Sequence, residues 1–570
     1  MAHKQQYRYR FRVWIVIVGM AVALLALASR AVYLHVVHSE YLQARGNARH
    51  LRVIQDHANR GMILDRNGVP LAISTPVDSI WAHPQTFLQA QKKWPGLARI
   101  LDVKMLTLFR QARKHKDREF MYIKRHVSPN MAKKVMALKI PGVNKQREYR
   151  RYYPAGMITG HVVGFTNIDD RGQEGLELAY DDWLRALPGK KRVLKDRFGN
   201  IVETVESVSL PMAGKDLVVS IDRRIQYMTY RALKQAVEKH KALSATAVVV
   251  DVQTGEVLAM ANYPGFNPNN RAYLRSSLFR NRAITDVFEP GSTMKPFIIA
   301  AALESGRYTA RSIINTAPGT LRIGHKTIRD HGNYGWLSLA RIIEKSSNVG
   351  AAKVALSMKR ERLWKMFRAV GFGEKTGLQQ PGESNGLLRA PEQWARLDQA
   401  TIAYGYGISV TAVQLARAYL VFANDGNALP LSLLPRDKTT QSIQVMSVTT
   451  AATMRTMLER AVSDKGTGRA ARIADYRVAG KTGTTHKLVN GRYVGNRYIS
   501  VFAGLAPATR PRLVMVVKVE EPTQGGYYGG VIAAPVFSKV MTSSLRALNV
   551  IPDNLQKRRT VASKPSRHPG

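Results

Sequence analysis

The longest apolar stretch of the chain lies close to its N-terminus. Residues 13–29 are uncharged without interruption, and after Arg30 the largely apolar pattern continues over residues 31–37. A helix needs about 20 apolar residues to cross a bilayer, and an arginine near one end can extend its guanidinium to the interface. Since no second run of comparable length follows, the pattern predicts a single transmembrane helix over residues 13–37.

Charged residues around this segment predict its orientation. No acid balances the basic residues before it, so the positive-inside rule places residues 1–12 in the cytoplasm and the remainder outside. These basic residues are Lys4, Arg8, Arg10 and Arg12. A cleaved signal peptide is the alternative, because Ala26-Leu27-Ala28 resembles a cleavage site. The apolar residues that continue past Arg30 favour an uncleaved anchor.

The hydrophobic pattern changes near residue 213. Beyond it, short apolar runs bounded by turn residues predict strands, and longer runs with helical spacing predict helices. The predicted strands are residues 217–221, 245–252, 257–261, 499–506 and 513–519, and the predicted helices include residues 224–240 and 534–548. Because strands occur at both ends of this region, we expect a domain over residues 214–549 with one sheet assembled from distant parts of the chain.

Residues 38–213 form a separate region of short mixed elements. Within it, Asn67-Gly68 between apolar stretches predicts a tight turn. We therefore expect a mixed α/β domain over residues 38–213. Residues 550–570 are polar and basic and lack periodicity, so a disordered tail is predicted there.

The net charge first favours nucleic acid as a partner. The chain has 570 residues, with 86 Lys and Arg against 40 Asp and Glu, which gives a formal net charge of +46. The predicted orientation places most of this charge outside the cytoplasm, which disfavours nucleic acid and favours anionic lipid and wall polymers. Basic residues are densest over residues 104–150, where solvated helix faces are the simpler interpretation.

The clearest candidate chemistry lies at the start of an apolar run. Pro290-Gly291 predicts a turn before a buried helix, because Pro296 is tolerable only near a helix start. Ser292 is therefore expected beside the helix N-terminus, with Lys295 one turn on and on the same face. A serine hydroxyl becomes nucleophilic when a base removes its proton, and a lysine whose pKa is depressed by burial can be that base.

Two further motifs supply polar groups that such a site can use. They are Ser346-Ser347-Asn348, which follows a predicted helix, and Lys481-Thr482-Gly483-Thr484, which follows a short strand-like stretch. The first offers a hydroxyl and an amide. In the second, glycine lets a substrate backbone approach closely and pair as an added strand.

Similar patterns elsewhere are excluded by their context. Lys375-Thr376-Gly377 follows a glycine-rich turn and no strand, so it is predicted to be loop. Gly480-Lys481-Thr482 matches the end of a phosphate-binding P-loop, but that motif requires glycine where Asp475 stands. Cysteine is absent and the histidines are scattered, so we expect no metal site.

The ordered set Ser-x-x-Lys, Ser-x-Asn and Lys-Thr-Gly is the signature of penicillin-recognising serine acyltransferases. With the block at residues 60–68 and the N-terminal anchor, it makes the chain resemble class B penicillin-binding proteins from end to end. The division-specific peptidoglycan D,D-transpeptidases are the most similar group, since Asn348 stands where elongation-type relatives usually carry Asp. Further matching stretches are residues 151–154, 164–169, 172–175, 405–407 and 528–530.

The resemblance implies a role for each motif residue in acyl transfer. Ser292 would attack the D-Ala–D-Ala carbonyl of a wall stem peptide, Lys295 would be the general base, and Ser346 would relay a proton to the leaving D-Ala. The remaining roles concern binding. Asn348 would bond to the substrate amide, and Lys481 and Thr482, beside Gly483, would hold the terminal carboxylate. The N–H groups of Ser292 and Thr484 would form the oxyanion hole.

The resemblance also implies architecture, partners and location. It implies an antiparallel sheet with helices in the transpeptidase domain, preceded by a pedestal or dimerisation-type domain over residues 38–213. The implied partners are peptidoglycan stem peptides, the lipid-linked precursor, a membrane glycosyltransferase and other division proteins, with β-lactams as inhibitors and no nucleic acid. The implied location is the bacterial inner membrane at the division septum, with a single-pass anchor and a periplasmic catalytic domain.

Three alternatives stay open beside the division enzyme. An elongation-type class B transpeptidase shares the same chemistry. A β-lactam sensor would need a cytoplasmic signalling part, which residues 1–12 do not offer. A non-catalytic division scaffold need not keep all three motifs, and this chain keeps them.

Overall fold

The computed structural model describes residues 2–41, 51–195, 201–270, 276–436, 441–489 and 491–554. The predicted disordered tail lies outside the described residues from residue 555 onward. Contacts divide the chain into two compact units. Unit 1 comprises Met1–Asn59, Pro76–Arg150 and Ala186–Ala213, and unit 2 comprises Arg60–Thr75, Arg151–Arg185 and Gly214–Gly570.

The described residues form strands and helices that we number in chain order. The strands are β1 (Leu51–Asp56), β2 (Ile63–Leu64), β3 (Pro70–Ala82), β4 (Met121–Val127), β5 (Val143–Tyr152), β6 (Phe165–Thr166), β7 (Gly172–Glu174), β8 (Gly189–Lys195), β9 (Ile201–Ser209), β10 (Leu217–Val218), β11 (Ser244–Asp251), β12 (Val257–Tyr263), β13 (Ile313–Asn315), β14 (Thr320–Ile323), β15 (Lys326–Arg329), β16 (Trp336–Ser338), β17 (Asn427–Ala428), β18 (Ile443–Gln444), β19 (Ala479–Val489), β20 (Arg492–Ala506) and β21 (Leu513–Glu520). The helices are α1 (Ala2–Val32), α2 (Pro84–Gln89), α3 (Trp94–Leu101), α4 (Met105–Lys114), α5 (Pro129–Ala137), α6 (Gly160–Val163), α7 (Gly175–Ala179), α8 (Asp181–Leu184), α9 (Arg223–His240), α10 (Arg282–Thr285), α11 (Lys295–Leu303), α12 (Leu339–Lys345), α13 (Asn348–Leu356), α14 (Arg360–Ala369), α15 (Arg396–Ile402), α16 (Ala412–Ala423), α17 (Val448–Ala461) and α18 (Gly529–Ala547).

The N-terminal apolar residues form one continuous helix. α1 is followed by a π-helical turn over Tyr33–Val37, and the side chains from Arg8 to Val37 are not packed inside the protein. Among the described residues, this is the one helix long and apolar enough to cross a membrane. Residues 13–37 are therefore helical, within a longer helix that begins at Ala2, and their apolar surface is compatible with single-pass anchoring.

Unit 1 has an apolar core of its own. β1, β8 and β9 form an antiparallel sheet in the order β1-β8-β9, and the end of β3 pairs antiparallel with β4. α2 to α5 contribute buried residues to the core, where Trp94 stacks on Phe87 with ring centroids 4.5 Å apart. Most basic side chains of residues 104–150 are exposed around this core, which agrees with solvated faces.

The centre of unit 2 is a five-stranded antiparallel sheet with the order β12-β11-β21-β20-β19. Successive side chains of a strand point to opposite faces, and both faces of β11 are buried. Ala247 and Val249 join the core that includes α9 and α18, whereas Val248 and Val250 join the core that includes α11 and α16. The predicted sheet from distant parts of the chain is confirmed.

Three predicted elements of unit 2 differ from the structure in their limits. The predicted strand over residues 217–221 is only Leu217–Val218, which pairs with β2. β20 begins at Arg492 and not at residue 499, because exposed polar residues precede its buried part. α18 begins at Gly529, before the predicted start at residue 534, because packing holds two glycines and an internal proline in helical geometry that their propensities oppose.

A buried cluster of opposite charges lies in unit 2. Arg60 donates through Nε to Glu177 Oε2 at 2.7 Å, and Arg151 donates through Nε to Glu177 Oε1 at 2.6 Å. Asp181 Oδ1 accepts a further bond from Arg60 at 2.7 Å. The side chains of Arg60, Arg151 and Glu177 are at most 2% exposed. Each buried guanidinium therefore has a carboxylate partner.

Candidate active site

The Ser-x-x-Lys motif forms the entrance to α11. Gly291–Met294 is one turn of 3-10 helix, and α11 begins at Lys295 with Pro296 at its second position, as the sequence predicts. Gly291 has φ +58°, and a Cβ atom there would lie 2.7 Å from the Thr485 side chain. The turn that presents Ser292 therefore requires glycine at its first position.

Residues of all three motifs line one cleft in unit 2. The cleft has a volume of about 740 Å³, and its lining includes Ser292, Ser346, Asn348, Thr482 and Thr484. Lys295 and Lys481 lie beneath this surface, with no exposed area on either residue. The structure thus brings together residues that are separated by up to 192 positions in the sequence.

The two buried lysines meet at one hydroxyl. Lys295 Nζ donates to Ser346 Oγ at 3.1 Å and to Asn348 Oδ1 at 2.8 Å, and it also contacts the Ser346 carbonyl oxygen. Lys481 Nζ donates to the same Ser346 Oγ at 3.0 Å. Because Ser346 Oγ accepts both bonds, its own proton remains available to a group in the cleft.

Burial lowers the pKa of both lysines, because removal from water disfavours the charged amine. The pKa of Lys295 lies well below its usual value, chiefly through burial, with the charge of Lys481 lowering it further and Asp330 opposing the change. Burial lowers the pKa of Lys481 to about 7. Two amines with lowered pKa values therefore lie against the cleft.

The Ser-Ser-Asn motif is held in a turn between two helices. Ser346 follows α12 in the left-handed conformation with φ +59°, which is uncommon for a residue with a side chain. Ser347 caps α13 by accepting a bond from Gly350 N at 2.8 Å. Backbone strain of this kind persists only where surrounding contacts fix it, so the position of the Ser346 hydroxyl is strongly determined.

The Lys-Thr-Gly motif lies on β19, the edge strand of the sheet. β19 pairs with β20 on one side, and within the part of the chain that the structure describes no strand pairs with its other edge. A Cβ atom on Gly483 would lie 2.7 Å from the Pro290 carbonyl oxygen. This glycine therefore lets β19 pack directly against the turn that carries Ser292. Glycine at this position thus has two uses, which are this packing and the close approach of a substrate backbone.

Sequence reasoning missed three residues that support the site. Asp330 accepts bonds from the Ser-Ser-Asn motif, and Thr467 Oγ1 lies 2.9 Å from Thr482 Oγ1. Glu289 accepts a bond from Gly407 N at 2.8 Å, which joins the Ser292 turn to a neighbouring loop. Glu289 directly precedes the Pro-Gly turn and could have been noticed, whereas Asp330 and Thr467 come from loops that carry no sequence signal.

The second Lys-Thr-Gly occurrence lies in a loop, as predicted. Residues 375–377 belong to no strand or helix, and Thr376 N donates to Glu383 Oε1 at 2.7 Å. These residues are not among those that line the cleft. The prediction that this motif is loop is confirmed.

Comparison with known proteins agrees with this arrangement. The penicillin-binding protein transpeptidase domain model matches residues 245–542, and the penicillin-binding protein dimerisation domain model matches residues 55–219. The chain is 42% identical over 99% of its length to the probable peptidoglycan D,D-transpeptidase PbpC of Pseudomonas aeruginosa, covering 99% of that protein. It is also 42% identical over 94% of its length to the peptidoglycan D,D-transpeptidase FtsI of Escherichia coli, covering 91% of that protein.

A solved structure extends the similarity to three dimensions. The apo transpeptidase domain of Burkholderia pseudomallei penicillin-binding protein 3 is 44% identical, with a TM-score of 0.55, over 59% of this chain and 97% of that domain. The same family is indicated by both domain models, by the full-length relatives and by the cleft with its three motifs. The chain belongs to the class B penicillin-binding proteins.

Proposed function

We propose that the chain is a serine-type peptidoglycan D,D-transpeptidase that cross-links stem peptides through an acyl-enzyme on Ser292. The observation that carries this proposal is the convergence of Lys295 and Lys481 on Ser346 Oγ beside the cleft that Ser292 lines. The names of the relatives, peptidoglycan D,D-transpeptidases, support the same activity.

In the acylation step, Ser292 Oγ forms a bond to the carbonyl carbon of the D-Ala–D-Ala amide. Lys295, whose lowered pKa favours the neutral amine, takes the hydroxyl proton. Ser346 accepts that proton from Lys295 and donates its own to the leaving amine, as its hydrogen bonds to both lysines allow. The amide C–N bond then breaks, and D-Ala leaves.

Substrate binding would use the edge of β19 opposite β20, and Thr482 and Thr484 of this strand line the cleft. A stem peptide would add as a strand along this edge, with the side-chain amide of Asn348 on its other side. The terminal carboxylate would be held by Lys481 and Thr482. Backbone N–H groups of Ser292 and Thr484 would stabilise the oxyanion, and such donors contribute about 3–4 kcal/mol each in comparable enzymes.

In the second step, the amine of another stem peptide attacks the ester carbon. A C–N bond forms, the ester C–O bond breaks, and the proton lost by the amine returns to Ser292 Oγ through the same groups. The balance of atoms needs no metal and no organic cofactor. A β-lactam imitates the first substrate, and its ring carbonyl would be trapped on Ser292 as a long-lived ester.

The test is covalent labelling of the full-length protein with a fluorescent penicillin. We expect one labelled peptide, containing Ser292, and no label on a Ser292→Ala variant. A matched control is Ser442→Ala, which removes an exposed hydroxyl elsewhere in unit 2 and should label as the wild type does. Equal labelling of the wild type and Ser292→Ala would disprove the proposal.

We further propose that this activity serves cell division. A single-pass anchor in the inner membrane would leave the catalytic domain in the periplasm, where stem peptides, the lipid-linked precursor, a membrane glycosyltransferase and other division proteins are found. The similarity to FtsI of Escherichia coli and the Asn348 form of the second motif support this role. A tagged copy should concentrate at septa, whereas a lateral-wall distribution would indicate the elongation type.

A further inference from the structure

Asp330 contacts the Ser-Ser-Asn motif at two atoms and the residue that follows the motif at a third. Its Oδ2 accepts a bond from Ser347 Oγ at 2.5 Å, and its Oδ1 accepts bonds from the N–H groups of Asn348 at 2.5 Å and Val349 at 3.0 Å. These N–H groups are at the start of α13, where no carbonyl of the helix can reach them. One carboxylate therefore binds both the cap and the first turn of this helix.

Asp330 is itself fixed by the segment that carries it. It follows β15 in a two-stranded hairpin with β14, and its N–H donates to Gly319 O at 2.9 Å. Ile328 of this hairpin is buried against Val349 of α13. The hairpin therefore fixes the backbone of Asp330 beside α13, and this limits where its carboxylate can lie.

The contacts of Asp330 continue directly to the lysine of the active site. Asn348 donates through Nδ2 to Arg329 O at 3.0 Å, and its Oδ1 accepts the bond from Lys295 Nζ at 2.8 Å. Both ends of the Asn348 amide are therefore fixed, one by the hairpin and one by Lys295. A shift of the α13 start would move the amide away from Lys295 and would release the left-handed turn at Ser346.

We propose that Asp330 is a positioning residue for acyl transfer, which holds the Ser-Ser-Asn turn so that Ser346 Oγ and Asn348 Oδ1 meet Lys295. The carboxylate acts through these residues and does not contact the substrate. This inference rests on the proposed transpeptidase function, because it assigns a role within the same site.

The charge of Asp330 supplies a readout that a merely structural role would not change. The charged groups that act on Lys295 are Lys481 on β19, which lowers its pKa, and Asp330 beyond β15, which raises it. Removal of the Asp330 charge should therefore lower the pKa of Lys295 further. Acylation needs neutral Lys295, so its rate falls at low pH as this lysine becomes protonated. This fall, the acidic limb of the plot of acylation rate against pH, should therefore move to lower pH.

The experiment measures the rate of acylation by a fluorescent penicillin against pH, with the detergent-solubilised full chain. Asp330→Asn should reduce the rate by about 10- to 100-fold, because a small displacement of a catalytic group has effects of this size, and should move the acidic limb to lower pH. Asp330→Glu keeps the charge but misplaces it, so it should reduce the rate and leave the limb near its wild-type position. Asp425→Asn, which removes an exposed acid paired with Arg455 at 2.8 Å, is the control and should change neither.

The outcomes separate this inference from the proposed function. Acylation of Ser292 in the wild type establishes the function whatever the variants show. An Asp330→Asn variant with wild-type rate and limb would overturn the positioning role. The role would also be overturned if the acylation rate of Asp330→Asn fell only as much as the folded fraction did and the acidic limb of its pH profile did not move. If Asp330→Asn does not fold, Ser347→Ala keeps the carboxylate and removes one of its bonds, and an unchanged rate in that variant would likewise overturn the role.

Discussion

Unit 2 buries two groups of charged side chains in opposite ways. Around Glu177, two arginines and two carboxylates lie within hydrogen-bond distance of each other, so each buried charge has a partner of opposite sign. Around Ser346, Lys295 and Lys481 are equally buried, yet they share a neutral hydroxyl and neither forms an ion pair among the described residues. In the first group the pKa of Arg60 is raised, whereas in the second group the pKa values of both lysines are lowered.

The difference follows from the free energy of removing an ion from water. A paired ion recovers part of this free energy from its partner, so Arg60 stays charged, and the carboxylates raise its pKa further. An unpaired amine recovers little and loses its proton more easily, which lowers the pKa of Lys481 to about 7. Burial without a counterion is therefore the physical feature that distinguishes these two lysines from the arginines around Glu177.

The largest expected effect is on chemistry and comes from removing one reactive amine. Lys295→Met keeps the length of the side chain but removes the base, so acylation by a fluorescent penicillin should fall by about 10²- to 10⁴-fold. Stability should change little, because the removal of a desolvated amine offsets the loss of its bonds to Ser346 and Asn348. Lys365→Met, at an exposed lysine of α14, should acylate normally. Normal acylation by Lys295→Met would show that Lys295 is not the base for acylation.

The next effect is on stability and comes from the paired group. Glu177→Gln leaves Arg60 and Arg151 buried beside a neutral amide, and breaking a buried ion pair in this way costs about 3–5 kcal/mol. Hydrogen exchange of the β11 and β21 amides should show this loss in unit 2. The folded fraction should still acylate at the wild-type rate. A variant with unchanged protection would mean that the pairing contributes nothing.

Much of the catalytic cluster could be predicted from the sequence, because its residues lie in short motifs with fixed spacing. Helical periodicity places Lys295 one turn beyond Ser292, and strand signals place Lys481 beside a sheet. The sequence alone could not show that Lys295 and Lys481 share Ser346 Oγ, because the three residues come from distant segments that only the folded sheet joins. Periodicity also gives no reason to pair Asp330, which follows β15, with the start of α13.

In the fold, too, the strands could be predicted from neighbouring residues, whereas contacts between distant residues could not. The strands predicted at residues 499–506 and 513–519 are confirmed, and they pair as β20 and β21 across a short connection with two prolines. The partners of the paired group were not predicted, because Arg60 and Glu177 are far apart in sequence and neither has a local pattern. Local elements follow from local residues, whereas contacts between distant charges follow from the finished fold.

A smaller effect concerns the pH dependence of stability. The pKa of Lys481 is about 7 in the folded protein and returns to its ordinary value of 10.5 on unfolding. Between these values the unfolded chain binds more protons, so the free energy of unfolding should rise with pH, by up to about 1.4 kcal/mol per pH unit for one group. Lys481→Met should flatten this rise between pH 7.5 and 9.5, as measured by hydrogen exchange of unit 2. An equal slope in both proteins would show that Lys481 keeps its ordinary pKa.

The smallest effect should come from basic residues that water already solvates. Lys133 and Lys134 are exposed on α5 of unit 1, and neither is part of the reactive or the paired group. The double variant Lys133→Gln, Lys134→Gln should change the free energy of unfolding by less than about 0.5 kcal/mol for each substitution and leave acylation unchanged. The same two assays used for Lys295→Met and Glu177→Gln provide the measurement. A large change in either would show that lysine function in this chain depends on more than burial without a counterion.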